Sequence, residues 1–395
     1  MKELSRRGFL KKGIAGAGIV AISPSLLATS AATGEENNII YRTLGRTGLK
    51  VPLISFGVMR SDNSSLCKAA FDKGITFFDT AHGYQGGNNE TMLGNLFKDF
   101  KRDSFLLATK VKPVTDKEGK PNDQTSPEKF LEMFNLSLSR LQMDYVDILY
   151  VHDIRNPELL EYKPLLKVVT NLKKQGKIKF LGFSTHANEA TVIDAAADLK
   201  DWDVILTQYN YRLAYLNDLN AAIKKAAAAG IGIVAMKTMA GGWLDRERTK
   251  PVNTTAALKW VLSNPDVHTT IPGMTSFDQL EKNLPLLSDI TFSDTEKNEL
   301  IASLSDPGLI CSGCRQCLDS CPHNLPVPDL MRAYMYAYGY ASPSMAKDLL
   351  GDLGISNNPC TECDVCSVNC SRNFNVKDKI ADISRLVNVS SDFLA

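Results

Sequence analysis

From about residue 40 the chain alternates short apolar runs with longer segments of helical period. The runs are VPLISFG, ITFFDTA, FLLATKV, YVDILYVH, IKFLGFS, VILTQYNY, GIGIVAMK and TTIPGM. Each has the length and bounding residues of a strand. Between them lie SSLCKAAFDKG, NETMLGNLFKDF, SPEKFLEMFNLSLSRLQ, YKPLLKVVTNLKKQG, NEATVIDAAADLK, LNDLNAAIKKAAAAG and TTAALKWVLSN, several ending in glycine as helix C-termini do. Eight β-α units over a stretch of roughly 260 residues predict an α/β fold of the (β/α)8 TIM-barrel type. An open doubly wound sheet would want a glycine-rich phosphate loop after its first strand. PLISFG is followed by VMRSDNSS, with no G-x-G-x-x-G.

The helical pattern SDTEKNELIASL completes the barrel, and SDPGL then leads into a region of different composition. The barrel is expected over residues 38–305 and a small, mostly α domain over 306–375, with residues 376–395 as a C-terminal tail or helix. About seventy residues with so few strand patterns hardly build a core unaided, so a metal staple is expected there. MRAYMYAYGYA reads as a helix covering that metal, its Tyr and Met stripe serving packing.

The reason for a metal is cysteine spacing. Eight of the nine cysteines fall in CSGCRQCLDSCP and CTECDVCSVNC, both C-x2-C-x2-C-x3-C. Runs of this spacing bind an iron–sulfur cube with three thiolates and send the fourth to the other cube. Two [4Fe-4S] clusters of ferredoxin type follow, one on Cys311, Cys314, Cys317 and Cys370, the other on Cys360, Cys363, Cys366 and Cys321. Two zinc sites, a disulfide framework and a single cluster with one degenerate run are the competing readings. Cys67, alone on a barrel helix pattern, reads as an ordinary buried thiol.

Composition narrows the partners. The 395 residues are 44% hydrophobic and 23% charged with a net charge of +1, so no basic field addresses nucleic acid. Residues 1–32 combine Lys2, Arg6, Arg7, Lys11 and Lys12 with GIAGAGIVAISPSLLATSAA, a removable leader pattern. SRRGFLK resembles the twin-arginine export signal, a general secretory signal being the alternative. Since iron–sulfur clusters are loaded in the cytoplasm and this route carries folded proteins, leader and cysteines are mutually consistent, and an exported or periplasmic location is expected. No later stretch has 18 apolar residues, so no membrane span is expected after leader removal.

In a TIM barrel the polar residues at strand C-termini build the site. Asp79 ends the second run, Tyr84 follows it, Lys110 ends the third and His152 the fourth. Together with FFDTAHGY, ATK, DYVDILYVH, GFSTH, TQYNY and IPG followed by LEKNL, in this order over residues 40–300, they make the chain resemble the aldo-keto reductase family. The resemblance implies a catalytic tetrad. Tyr84 would protonate the substrate oxygen, Lys110 would lower the phenol pKa, Asp79 would hold Lys110, and His152 would orient a carbonyl or alcohol substrate. It also implies an NAD or NADP site at Ser184, Gln208, Met236, Lys237, Gly273, Gln279 and Asn283. Ser184 and Gln208 would hold the carboxamide, Met236 would replace a stacking aromatic, Lys237 would meet the pyrophosphate and Asn283 the adenine. Members that prefer NADP carry cations where this chain has Gly273 and Gln279, which favours NAD.

Hydride chemistry moves two electrons and each cluster takes one, yet no flavin pattern is visible. Two functions follow as expectations. In one, the clusters relay electrons between the barrel and an external carrier. In the other, the iron–sulfur domain is structural or a docking module on a barrel reductase or binding module. VKPVTDKEGKPNDQTSP and HDIRNPELLEYK, polar and expected at the mouth, point to a sugar-like substrate.

Overall fold

A hairpin of β1 (Tyr41–Thr43) and β2 (Lys50–Pro52) opens the structure, a computed structural model that describes residues 38–394. The leader expected over residues 1–32 lies outside the described residues. The hairpin was not foreseen as an element, and its role is to plug the barrel floor. Leu44 and Val51 are fully buried against the barrel interior. Gly232, at the start of a barrel strand, admits the plug, since a Cβ there would lie 2.6 Å from the Leu44 side chain.

Eight strands follow, one for each apolar run: β3 (Phe56–Gly57), β4 (Phe77–Asp79), β5 (Leu106–Val111), β6 (Val146–Val151), β7 (Ile178–Thr185), β8 (Val204–Gln208), β9 (Gly232–Met236) and β10 (Thr269–Thr270). All pair in parallel and in chain order. The ring closes where Ser55 N–H donates to Thr270 O at 2.8 Å and Thr270 N–H to Leu53 O at 3.1 Å. Phe77, Ala108, Ile148, Val204, Leu206 and Val234 fill the bore, so the barrel is a packed core with its chemistry confined to the strand C-termini.

The helices around it are α1 (Ser64–Asp72), α2 (Asn88–Phe97), α3 (Pro127–Leu141), α4 (Pro157–Leu160), α5 (Lys163–Lys174), α6 (Glu189–Ala197), α7 (Leu216–Ala228), α8 (Thr254–Leu262), α9 (Phe277–Asn283) and α10 (Asp294–Ser303). Helix α3 shows the logic. Ser126 caps its first turn by accepting from Lys129 N–H at 3.1 Å, and Phe130, Phe134, Leu138 and Leu141 bury one stripe against the strands. Each such side chain contributes roughly 1.5–3 kcal/mol by leaving water.

Beyond α10 the character changes. Three helices, α11 (Val327–Tyr338), α12 (Pro343–Asp352) and α13 (Val376–Ser384), enclose a core in which Leu330, Leu350 and Ile383 are joined by Cys317, Cys321 and Cys360. Helix α12 escaped the sequence pattern because its ten residues bury only Ala346 and Leu350. Helix α11 does more than cover metal sites: it lies across the barrel's C-terminal face. Arg332 and Asp329 reach the loops after β6 and β7, Met335 packs on Gly241 after β9, and Arg60 after β3 stacks on the Tyr340 ring at 4.7 Å. Among the described residues no helix is long and apolar enough to cross a membrane.

Candidate active site and thiol-lined cavities

The register of the sheet brings three of the four tetrad positions together before any side chain is considered. Asp79 ends β4 opposite Ala108 of β5, Lys110 lies two residues further along β5 opposite Tyr150 of β6, and His152 follows the last residue of β6. Tyr84 arrives differently, at the start of a short 3-10 turn, Tyr84–Gly87, held where Gln85 and Gly86 adopt left-handed backbone.

Lys110 Nζ donates to Asp79 Oδ1, to the Thr80 carbonyl at 2.7 Å and to the Tyr84 hydroxyl at 3.3 Å. The His152 ring stands at 83° to the Tyr84 ring with centroids 6.2 Å apart. Burial pushes the Asp79 carboxyl up and the Lys110 ammonium down, each opposed by the charge of the other. Burial also lowers His152, to about 3, with the Lys110 charge adding to it, so its imidazole is neutral at physiological pH. The Tyr84 phenol is held well above its ordinary value by burial and by the Asp79 carboxylate. This is opposite to the direction expected from the Lys110 ammonium: desolvation of a phenolate outweighs one ammonium that is already engaged by a carboxylate.

The residues assigned by resemblance to a nucleotide lie along the neighbouring strand ends. Ser184 is buried near the end of β7, its Oγ accepting from Asp153 N–H at 3.0 Å. Gln208 ends β8 in register with Met236 at the end of β9, and Lys237 follows in left-handed backbone at φ 56°. Three adjacent strand ends thus present a hydroxyl, an amide and a thioether, a set suited to a carboxamide and a flat ring. Gly273 and α9 lie beyond β10. Gln279 turns its Oε1 onto its own loop, accepting from Thr275 N–H at 2.8 Å, while Asn283 is buried at the end of α9. Neither Gly273 nor Gln279 supplies a cation.

The cysteines sort into two groups. One cavity is lined by Cys311, Cys314, Cys317 and Cys370, and a second by Cys321, Cys360, Cys363 and Cys366. Val327 of α11 borders both, and Met331 the first. In each cavity three thiols come from one run and the fourth from the other, the arrangement of two-cluster ferredoxins. All eight thiols are free, and Val327, Val368 and Phe374 are among the apolar residues between them. Among the described residues no three Cys, His, Asp or Glu side chains converge closely enough to hold a single metal ion. Thiols set around a volume rather than a point fit a cluster better than zinc. Cys67 is buried on α1, its thiol pushed up to about 12 by desolvation.

Sequence reasoning missed the contribution of α11 to the barrel. The stacked pair Tyr336 and Tyr340, 5.5 Å and 20° apart, lies over the Tyr84 side of the mouth, and Arg332 reaches His186 after β7. The i,i+3 pair Asp329 and Arg332 on an otherwise apolar helix was the available signal. Nothing in the pattern said which surface that pair would face.

A parallel barrel with a buried Lys-Asp pair beside a tyrosine and a neutral histidine defines an oxidoreductase site. A model described as the aldo/keto reductase family matches residues 55–255, and the chain belongs to that family. A 4Fe-4S dicluster domain matches residues 310–375 and forms its C-terminal part. Among relatives, L-galactose dehydrogenase of Arabidopsis thaliana is 29% identical over 64% of this chain and 89% of its own length. L-glyceraldehyde 3-phosphate reductase of Escherichia coli is 25% identical over 67% of this chain and 92% of its own. A solved aldo-keto reductase from Bacillus halodurans, 24% identical, superposes over 67% of this chain and 96% of its own with a TM-score of 0.54, which speaks for the fold.

Proposed function

We propose that this oxidoreductase transfers hydride between a nicotinamide cofactor and a carbonyl or alcohol substrate. When bound, the nicotinamide would supply or accept the hydride, and two clusters taking one electron each would match a hydride's two electrons in exchange with an external carrier. Tyr84 donates its proton to the substrate oxygen as negative charge develops there. Its raised pKa keeps the proton in place into alkaline pH. Lys110, fixed by Asp79 and the Thr80 carbonyl, stabilises the resulting phenolate. Neutral His152 donates a hydrogen bond to the same oxygen and orients the carbonyl.

Ser184 and Gln208 hold the carboxamide, Met236 packs on the ring and Asn283 reads the adenine. With Gly273 and Gln279 offering no cation to a 2′-phosphate, NAD is the preferred nucleotide. Cys311, Cys314, Cys317 and Cys370 hold one cluster, and Cys321, Cys360, Cys363 and Cys366 the other. The polar segments after β5 and β6 favour a hydroxylated, sugar-like substrate. L-galactose dehydrogenase and L-glyceraldehyde 3-phosphate reductase among the relatives support that choice. The twin-arginine pattern at Arg6 and Arg7 supports export of the loaded protein.

The observation that carries this reading is the Tyr84 hydroxyl 3.3 Å from a Lys110 that is itself ion-paired to Asp79. Tyr84→Phe is expected to lower kcat by roughly 10²–10⁴ while leaving nucleotide affinity unchanged. Activity that survives the substitution sinks the mechanism. A second reading, in which the iron–sulfur domain only completes the structure, is favoured by the thiols' place in its core and by α11 on the barrel mouth. Anaerobic addition of NADH separates the two: bleaching of the visible cluster absorbance supports relay, and turnover without bleaching supports the structural role.

A further inference from the structure

Behind the site, on the helix side of the strands, lies a buried ion pair that the mechanism above does not use. Glu90, fully buried in the first turn of α2, accepts from Thr109 Oγ1 at 2.6 Å and faces Arg140 Nη1 of α3 at 3.4 Å. Thr109 precedes Lys110 on β5, so its side chain points away from the mouth and toward the helices. Gly94, one turn beyond Glu90, lets α3 back directly onto α2, because a Cβ there would collide with the Arg140 carbonyl.

The other end of the pair reaches the turn that carries Tyr84. Arg140 Nη1 donates to the His82 carbonyl at 2.9 Å, and the N–H of His82 donates to the Lys110 carbonyl at 2.9 Å. Past Tyr84 the guanidinium lies against Gly87, where a Cβ would collide with it. Gln85, Gly86 and Gly87 follow one another in left-handed backbone, at φ 51°, 64° and 96°. Gln85 is strained in that region, and such a turn keeps its shape only where its surroundings impose it. One guanidinium therefore grips the residues on both sides of Tyr84, and one carboxylate ties it to the strand that carries Lys110.

A carboxylate and a guanidinium buried between helices can serve stability alone. The ends of this pair argue for more, since Thr109 adjoins Lys110 while His82 and Gly87 bracket Tyr84. We propose that Glu90 and Arg140 are positioning residues, a strap that fixes the Tyr84 turn against β5 and so sets the 3.3 Å between the phenol and the Lys110 ammonium. Neither faces the mouth; both act through Tyr84, so the inference rests on the role proposed for that residue above. The rigid planar group matters, because an ammonium on a flexible stem holds carbonyl and carboxylate less firmly.

The test uses the full-length protein with its clusters, purified without oxygen and assayed with glyceraldehyde and NADH and with L-galactose and NAD. Arg140→Met is expected to lower kcat about tenfold or more with KM within a few-fold of wild type, since a misplacement of about 1 Å at a proton donor is enough. Arg140→Lys is expected to recover part of that loss. Hydrogen exchange over residues 82–87, read by mass spectrometry, is expected to quicken about tenfold in Arg140→Met, while the barrel still unfolds cooperatively. Should Arg140→Met fail to fold, Glu90→Gln, which keeps an oxygen for Thr109 and removes the charge, carries the same expectations at smaller size.

A double-mutant cycle separates positioning from stability. In a Tyr84→Phe background the phenol proton is gone, so adding Arg140→Met is expected to change kcat by less than about twofold. The same loss of kcat in both backgrounds marks general damage to the barrel and overturns the proposal, as does wild-type kcat or wild-type exchange in Arg140→Met. Full activity in Tyr84→Phe alone removes the mechanism, and with it a catalytic role for the strap. Should wild type turn over neither substrate, the hydride reading fails for both, and exchange over residues 82–87 alone decides whether the pair holds the turn.

Discussion

The barrel and the C-terminal domain solve the problem of a core in opposite ways. The barrel closes eight strands around side chains such as Phe77, Ile148, Leu206 and Val234 and seals its floor with Leu44, using no ligand. The C-terminal domain has Leu330, Leu350 and Ile383 at its centre, and beside them lie two thiol-lined cavities. A fold made of its own apolar surface precedes what it binds. A fold whose interior is reserved for a ligand depends on that ligand.

The comparison breaks most decisively under iron removal. Anaerobic chelation is expected to abolish the cooperative unfolding of residues 306–375 and to release α11 from the barrel face, while the barrel keeps its own transition. Scanning calorimetry with protection of α11 against proteolysis reads both, and loss of both transitions together would mean that the barrel needs the metal as well. Next in size is a pair of truncations. Leu149→Ala between strands and helices and Leu330→Ala in α11, each fully buried, are expected to cost about 2–5 kcal/mol. The first should lower the barrel's denaturation midpoint with cluster absorbance intact, the second should speed iron loss.

A smaller change sharpens the barrel's side of the contrast, because a site on a finished scaffold can be retuned without touching the fold. Gln279→Arg restores a cation near a 2′-phosphate and is expected to raise NADPH affinity by about tenfold or more, on the order of 1.5–3 kcal/mol. Equal NADPH binding by both proteins would place the adenosine end elsewhere. The smallest effect is a proton. His152 is held at about 3 in the folded barrel against about 6.5 in an unfolded chain. As pH falls from about 6.5 toward 3 the unfolded state takes up a proton that the folded site refuses, so stability declines across this window. Denaturant midpoints of the barrel transition at pH 7 and pH 5 should differ less in His152→Gln than in wild type.

Much of this was legible in one dimension because it depends on neighbours in the chain. Strand and helix periods, the order of β-α units and the ending of strands at Asp79 and Lys110 follow from local pattern, and parallel pairing in chain order then sets those ends side by side. Cysteine spacing likewise carried the crossed grouping that the two cavities display, since three thiols within seven residues cannot scatter. Tertiary structure decided what depends on surfaces meeting. The hairpin plug is specified by the bore it fills. The raised pKa of Tyr84 comes from burial and from Asp79, neither of which spacing reveals. Arg332 and His186 lie far apart in the sequence, and only the docking of α11 on the barrel mouth brings the guanidinium within 3.0 Å of that imidazole. Local propensity is written residue by residue, whereas the electrostatics of a site belong to the side chains that packing has taken out of water together.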